Sequence, residues 1–197
     1  SNLNQSDDYP LPASLFFLAP GIGHGLRING CLTHSNRSAY IFTITQVYFH
    51  CARAAARADF WIAKAKPELD ADNFILNASY LLLKTHNSKG QTELSPRGDE
   101  AGFVKQLSPT TLLIPERPGN KIAVSLRNII NCPEVELLFM VPGASQTLSV
   151  HGVAEVISSC DVLSQCAVNG KIPKTGILVQ VQSSQFQLDP VIEASNI

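Results

Sequence analysis

Short apolar runs ended by turn formers recur along the whole chain, and they predict many short strands with few helices. "LFFLAPGIGHGLRINGCL" (15–32) reads as strand, Pro-Gly loop, strand. "NFILNASYLLLKTH" reads as a strand, or a short helix joined to one, and "NSKGQ" as a turn. "TELSPRGDEAG" is a strand running into a Pro/Gly-rich loop, and "FVKQLSPTTLLIP" gives two short strands about a Ser-Pro turn. "NKIAVSLRNIINCP" has the helical period. Ile122, Leu126, Ile129 and Ile130 fall on one apolar face, and Pro133 ends the helix. "VELLFMVPG" is again a strand. This pattern predicts a small antiparallel barrel with helices outside it.

The chain also matches itself. Residues 15–32 align with "LLFMVPGASQTLSVHGVA" (137–154) at a constant spacing, with Leu15/Leu137, Phe17/Phe139, Pro20/Pro142, Gly21/Gly143, Leu26/Leu148 and Gly30/Gly152 identical. Downstream, "SAYIFTITQVYF" (38–49) resembles "TGILVQVQSSQF" (175–186). The second copy carries an extra helix-and-loop excursion, "VISSCDVLSQCAVNGKIPK", between the two matches. The first copy ends in "HCARAAARADFW", Ala-rich and helix-favouring. Residues 73–136 form a strand-rich lead-in to the second copy, whereas a short polar leader precedes the first. The expected division is 1–66, a partial repeat with a C-terminal helix, and 73–197, a nearly whole domain, joined through "KPELDAD" (66–72).

Composition narrows the chemistry. The 197 residues carry a net charge of −1 and are 45% hydrophobic and 16% charged. That length is enough for a filled core. A near-neutral balance gives no general attraction to nucleic acid or to an anionic membrane. The five cysteines, Cys31, Cys51, Cys132, Cys160 and Cys166, form no C-x-x-C, and the histidines show no zinc spacing, so no metal site is expected. Each cysteine is expected to be a small buried residue. "SNLNQSDDYP" reads as a polar leader and not as a signal peptide, and the thiols point to the cytoplasm. No apolar run approaches the roughly 18 residues of a membrane helix.

One basic cluster stands out from this background. Arg97 lies in "SPRG", Arg117 directly precedes Pro118-Gly119-Asn120, and Lys121 and Arg127 follow within the helix. A helix start presents free backbone N–H groups and partial positive charge, and so suits a phosphate. Arg grips phosphate through two parallel hydrogen bonds. Asn120 is placed to cap the helix, and Ser125 could add a hydroxyl. "GIGHG" (21–25) mimics a dinucleotide fingerprint, but no strand–helix unit follows, so it is read as a hairpin tip. No Ser-His-Asp or Cys-His set is visible, and no catalytic residue is assigned.

In order along the chain, "LSPRGDEAGFV", "TLLIPERPGN", "SLRNIINCPEVELLFMVPG" and "TLSVHG" resemble flavin-nucleotide-binding proteins of the pyridoxamine 5'-phosphate oxidase-like superfamily. The resemblance covers about 73–186, with 15–61 as a second, partial copy. It implies a mainly β, α+β fold: a split β-barrel of the FMN-binding type, usually a homodimer with FMN at the interface. It implies a flavin-dependent oxidoreductase, with Arg97, Arg117, Asn120, Lys121, Ser125 and Arg127 as cofactor ligands. In that family a segment like "YFHCARAAARADFW" follows the last strand. Here it closes the first copy, which offers His50, Arg53, Arg57 and Trp61 as a second wall. The tail "QLDPVIEASNI" lacks the Trp/Arg-rich substrate segment of true pyridoxamine phosphate oxidases, so that activity is not expected. The alternative is a non-catalytic protein binding flavin, haem or a deazaflavin.

Overall fold

The computed structural model describes residues 10–18, 24–36, 39–62, 69–118 and 123–195. Two antiparallel sheets result. The first holds β1 (Leu11–Leu18), β2 (Gly25–Asn36) and β3 (Ala39–His50) in that order. After α1 (Arg53–Arg57) and α2 (Phe74–Asn77), the second sheet is built from β4 (Tyr80–His86), β5 (Thr92–Gly98), β6 (Lys105–Ser108), β7 (Thr111–Pro115), β8 (Glu134–Met140), β9 (Gln146–Ile157) and β10 (Gly176–Leu188). Its order is β5-β4-β8-β9-β10-β7-β6, so β5 and β6 are edges and the barrel is not closed. Pro96 sits within β5, which an edge strand tolerates because only one side must supply ladder N–H groups. The architecture is mainly β with short helices, as the sequence pattern predicts.

The barrel core is made by inward positions of these strands. Leu81, Leu83, Leu112, Ile114, Leu137, Phe139, Ile177 and Val179 are all at most 1% exposed, and Phe74 closes one end against Phe186. α3 (Val124–Asn131) lies on this core through Leu126 and Ile129, and Asn128 Nδ2 donates to Thr85 Oγ1 (3.0 Å) to fix it on β4. The helix is shorter than "NKIAVSLRNIINCP" suggests. Its N-cap is Ala123, and Asn120, the expected cap, lies outside the described residues. Ile130 is 71% exposed, because it stands one residue round the helix from the 126/129 stripe that meets β4. Among the cysteines only Cys166 is buried, and all five are free thiols.

The self-match of the sequence is also a match of strand pairing. In the first sheet Leu15 faces Ile28 and Phe17 faces Leu26; in the second Leu137 faces Val150 and Phe139 faces Leu148. Both copies carry a bulge on their third strand at the same place, between Ile44 and Gln46 and between Val181 and Ser183. The reason for glycine at Gly30 and Gly152 is shared too. A Cβ there would stand 2.1 Å from the Thr43 carbonyl oxygen or 2.4 Å from that of Gln180, so only glycine lets the strands approach. The hairpin tip of the first copy (19–23) and part of the expected boundary at 66–72 lie outside the described residues. No helix among the described residues is long and apolar enough to cross a membrane.

The first sheet packs one face against β5. The Ser14 hydroxyl donates to the Thr92 carbonyl oxygen (2.9 Å), and Arg27 reaches Glu93. α1 continues from β3 and lies on the same strand. Ala54, Ala55 and Ala58 are buried with Phe60, Tyr80 and Met140. The Ala-rich stretch keeps only five helical residues, ending before Asp59, which adopts φ 49°. Small residues matter at this contact: a Cβ on Gly98 would stand 2.2 Å from the Ala54 carbonyl oxygen. Glycine at position 98 thus lets α1 lie close on β5.

Candidate functional site

The two sheets and the two helices α1 and α3 enclose a pocket of about 270 Å³. Its first wall is the end of the first copy: Arg27 from β2, Tyr48 and His50 from β3, Arg53 and Arg57 from α1. Its second wall is Glu93 and Arg97 from β5, Glu116 and Arg117 after β7, and residues 123–126 at the start of α3. Five arginines and two carboxylates therefore converge, in a chain with few charges.

Most of these cations are held in place by the protein. Arg97 donates to Glu116 through Nη1 and to Ser125 Oγ through Nη2 (2.7 Å), so β5 is tied to the first turn of α3. Arg117 donates through Nε to Asp99 and through Nη1 to the Cys166 carbonyl oxygen (2.9 Å). That carbonyl comes from the excursion in the second copy, which folds as α4 (Cys160–Leu163) and a 3₁₀ turn (Ser164–Cys166), anchored by Leu163 and Cys166 against Leu113. Arg57 donates through Nε to the Gly98 carbonyl oxygen (2.9 Å) and through Nη1 to that of Pro118 (3.3 Å). Arg53 is exposed at the rim and makes no hydrogen bond or ion pair among the described residues.

Arg27 and Glu93 lie deepest. Their hydrogen bond is 2.6 Å, their side chains are 5% and 7% exposed, and the Arg27 guanidinium lies 4.6 Å from the Tyr48 ring centroid. Burial raises the Glu93 pKa against the pull of Arg27. His50 packs edge-on against Phe16, at 5.5 Å between ring centroids. Burial, with Arg27 and Arg97 nearby, lowers its pKa to about 4, so it is neutral at ordinary pH. His50 Nε2 and Arg97 Nε are buried and have no hydrogen-bond partner.

Six of the ten sequence candidates line this pocket: His50, Arg53, Arg57, Arg97, Arg117 and Ser125. Two stand apart. Arg127 lies on the exposed side of α3, and Trp61 packs edge-on against Phe60 in the cluster behind α1, outside the pocket lining. Asn120 and Lys121 lie outside the described residues. Sequence reasoning missed Arg27, Tyr48 and Glu93. Arg27 was visible as a cation between the apolar Leu26 and Ile28 of "GLRING", a position that asks for a buried partner. No group of three or more metal-ligating side chains occurs among the described residues.

No family model and no curated protein matches this chain. Solved structures do resemble its path. HupZ of Group A Streptococcus aligns over 61% of this chain and 95% of its own, at 13% identity and a TM-score of 0.48. An F420 reductase aligns over 61% and 98%, at 15% identity and a TM-score of 0.44. A protein of Clostridium acetobutylicum related to general stress protein 26, of the pyridoxinephosphate oxidase family, aligns over 60% and 85%, at 10% identity and a TM-score of 0.43.

Proposed function

We propose that this pocket binds FMN and that the protein is a flavin-dependent oxidoreductase. The observation that supports this most is the meeting of an uncapped helix start with five arginines at a crevice between two sheets. The first backbone N–H groups of α3, the rim residue Arg53 and Arg117 would hold the phosphate, with Arg57 and Arg97 supplying fixed positive charge around it. Lys121 and Asn120, which precede the helix, belong to the same proposal. The orphaned nitrogens of His50 and Arg97 suit polar edges of a flat ring. The flavin itself supplies the hydride chemistry when bound. The chain's own part is to bind, orient and partly bury it.

In this reading the first sheet with α1 stands as a partial copy of the split-barrel unit at 73–197, and supplies the wall that a partner subunit would otherwise provide. The equal register of the two hairpins supports that division. The rival reading is a non-catalytic protein that holds flavin, haem or a deazaflavin. The absorption spectrum of the full chain, purified and then incubated with FMN and freed of excess ligand, separates them. Retained flavin bands are expected. A Soret band on isolation, or no retained flavin, would overturn the FMN assignment.

A further inference from the structure

Buried polar atoms without a partner gather in the pocket. Six such side-chain atoms occur among the described residues, and four belong to residues that line it: Arg27 Nε, His50 Nε2, Glu93 Oε2 and Arg97 Nε. An unmet buried donor or acceptor is costly, so a fold keeps few of them. Four in one pocket point to a ligand that meets them.

Strand register says where they stand. Arg27 faces Tyr48 across β2 and β3, and Gly25 faces His50, so Arg27, Tyr48 and His50 share one face of the first sheet. Glu93, Ser95 and Arg97 alternate onto one face of β5, and all three line the pocket. Arg97 is tied to Ser125 at the start of α3, the end proposed for the phosphate. Glu93 lies farther back along β5, about 13 Å away at the rise of a strand. The site thus has a cationic end and, well separated from it, the Arg27–Glu93 pair.

The free atoms of that pair differ in kind. Arg27 Nη1 is spent on Glu93 Oε1 (2.6 Å) and on the Leu94 carbonyl oxygen (3.1 Å). An arginine Nε–H only donates, and a carboxylate oxygen only accepts. A donor and an acceptor therefore remain within one ion pair. Their complement is a carbonyl oxygen beside an N–H, the edge of a lactam or an imide. A second carboxylate would suit Arg27 Nε but be repelled by Glu93.

We propose that the Arg27–Glu93 pair recognises the imide edge of the ligand ring, with Glu93 Oε2 accepting the ring N–H and Arg27 Nε donating to the adjacent carbonyl oxygen. The inference rests on the flavin reading, because the pyrimidine side of the flavin ring carries an N–H between two carbonyls. Glu93 is then the residue that sets ring specificity, and Arg27 holds its carboxylate in place. Neither is needed for the phosphate. The rim of a haem offers no N–H, so the same pair selects against it.

The test compares FMN with 3-methyl-FMN, in which a methyl group replaces that ring hydrogen, by quenching of flavin fluorescence with the full chain. Wild type should bind 3-methyl-FMN at least about tenfold more weakly than FMN, the loss expected for one charge-assisted hydrogen bond. Riboflavin and 3-methylriboflavin should show the same ratio, because the phosphate end plays no part in it. In Glu93→Gln the Arg27 guanidinium claims the amide oxygen and leaves the amide N–H to face the ring N–H, so the ratio should fall toward one. Glu93→Asp keeps the charge beside Arg27 but withdraws the oxygen, and should give the same fall if Glu93→Gln does not fold. Equal binding of FMN and 3-methyl-FMN by wild type, or an undiminished ratio in a folded Glu93 variant, would overturn this assignment and leave flavin binding standing. No binding of FMN or riboflavin by wild type would overturn both.

Discussion

Arg27 on β2 donates a 2.6 Å hydrogen bond to Glu93 on β5, and this buried pair joins the first sheet to the second. The chain thereby spends one of its few charged pairs on the junction that also forms the floor of the pocket.

Removing one partner of such a pair strands the other. Arg27→Met should lower stability by about 3–5 kcal/mol. Arg27→Met combined with Glu93→Leu should lose less than the two single changes added together, because the stranded carboxylate is gone. Urea unfolding of the four proteins measures this. A loss under about 1 kcal/mol in Arg27→Met would show that the junction is held elsewhere.

His50 makes stability depend on pH. The folded chain keeps it neutral down to about pH 4, whereas the unfolded chain protonates it near the ordinary imidazole value of 6.5. Between those values the unfolded state binds more protons, so stability is full above pH 6.5 and falls as pH drops toward 4. His50→Phe should flatten that part of the profile. The urea midpoints of wild type and variant at pH 7.5 and 5.0 measure the difference. Equal losses in the two proteins would remove His50 as the source.

Gly98 sets the spacing of α1 on β5. Gly98→Ala places a carbon 2.2 Å from a backbone oxygen of Ala54, so the helix must move outward. The cost should be about 1–3 kcal/mol. Arg57, which donates to the Gly98 carbonyl oxygen, should shift with the helix and weaken ligand binding. Thermal melting and FMN titration on the same sample read both effects. Unchanged affinity would separate α1 from the site.

Much of the strand pattern was legible because apolar runs ended by turn formers follow from the sequence alone. The self-match predicts equivalent hairpins, and the described strands pair in matching registers, Leu15 facing Ile28 and Leu137 facing Val150. Arg97 and Arg117 could be read as a cluster because turn chemistry brackets both. Other features depend on contacts between distant segments. Glu93 looks like a surface carboxylate until β2 lays Arg27 over it. Arg127 reads as a member of the basic cluster, and where it sits, on the exposed side of α3, depends on how the helix lies against β4. The last helix, α5 (Pro190–Ser195), was missed although "LDPV" states it: Asp189 Oδ1 accepts from the Val191 N–H (2.9 Å), and Pro190 opens the first turn.

The central claim is that the arginine-lined pocket holds a phosphate-bearing flavin. Its most direct test compares FMN with riboflavin by quenching of flavin fluorescence, in wild type and in Arg117→Ala. A charge-assisted hydrogen bond contributes about 1.5–3 kcal/mol. Wild type should therefore bind FMN at least about tenfold more tightly than riboflavin, and Arg117→Ala should weaken FMN about ten- to a hundredfold while changing riboflavin little. Equal affinity of wild type for the two flavins, or FMN affinity untouched by Arg117→Ala, would contradict the account.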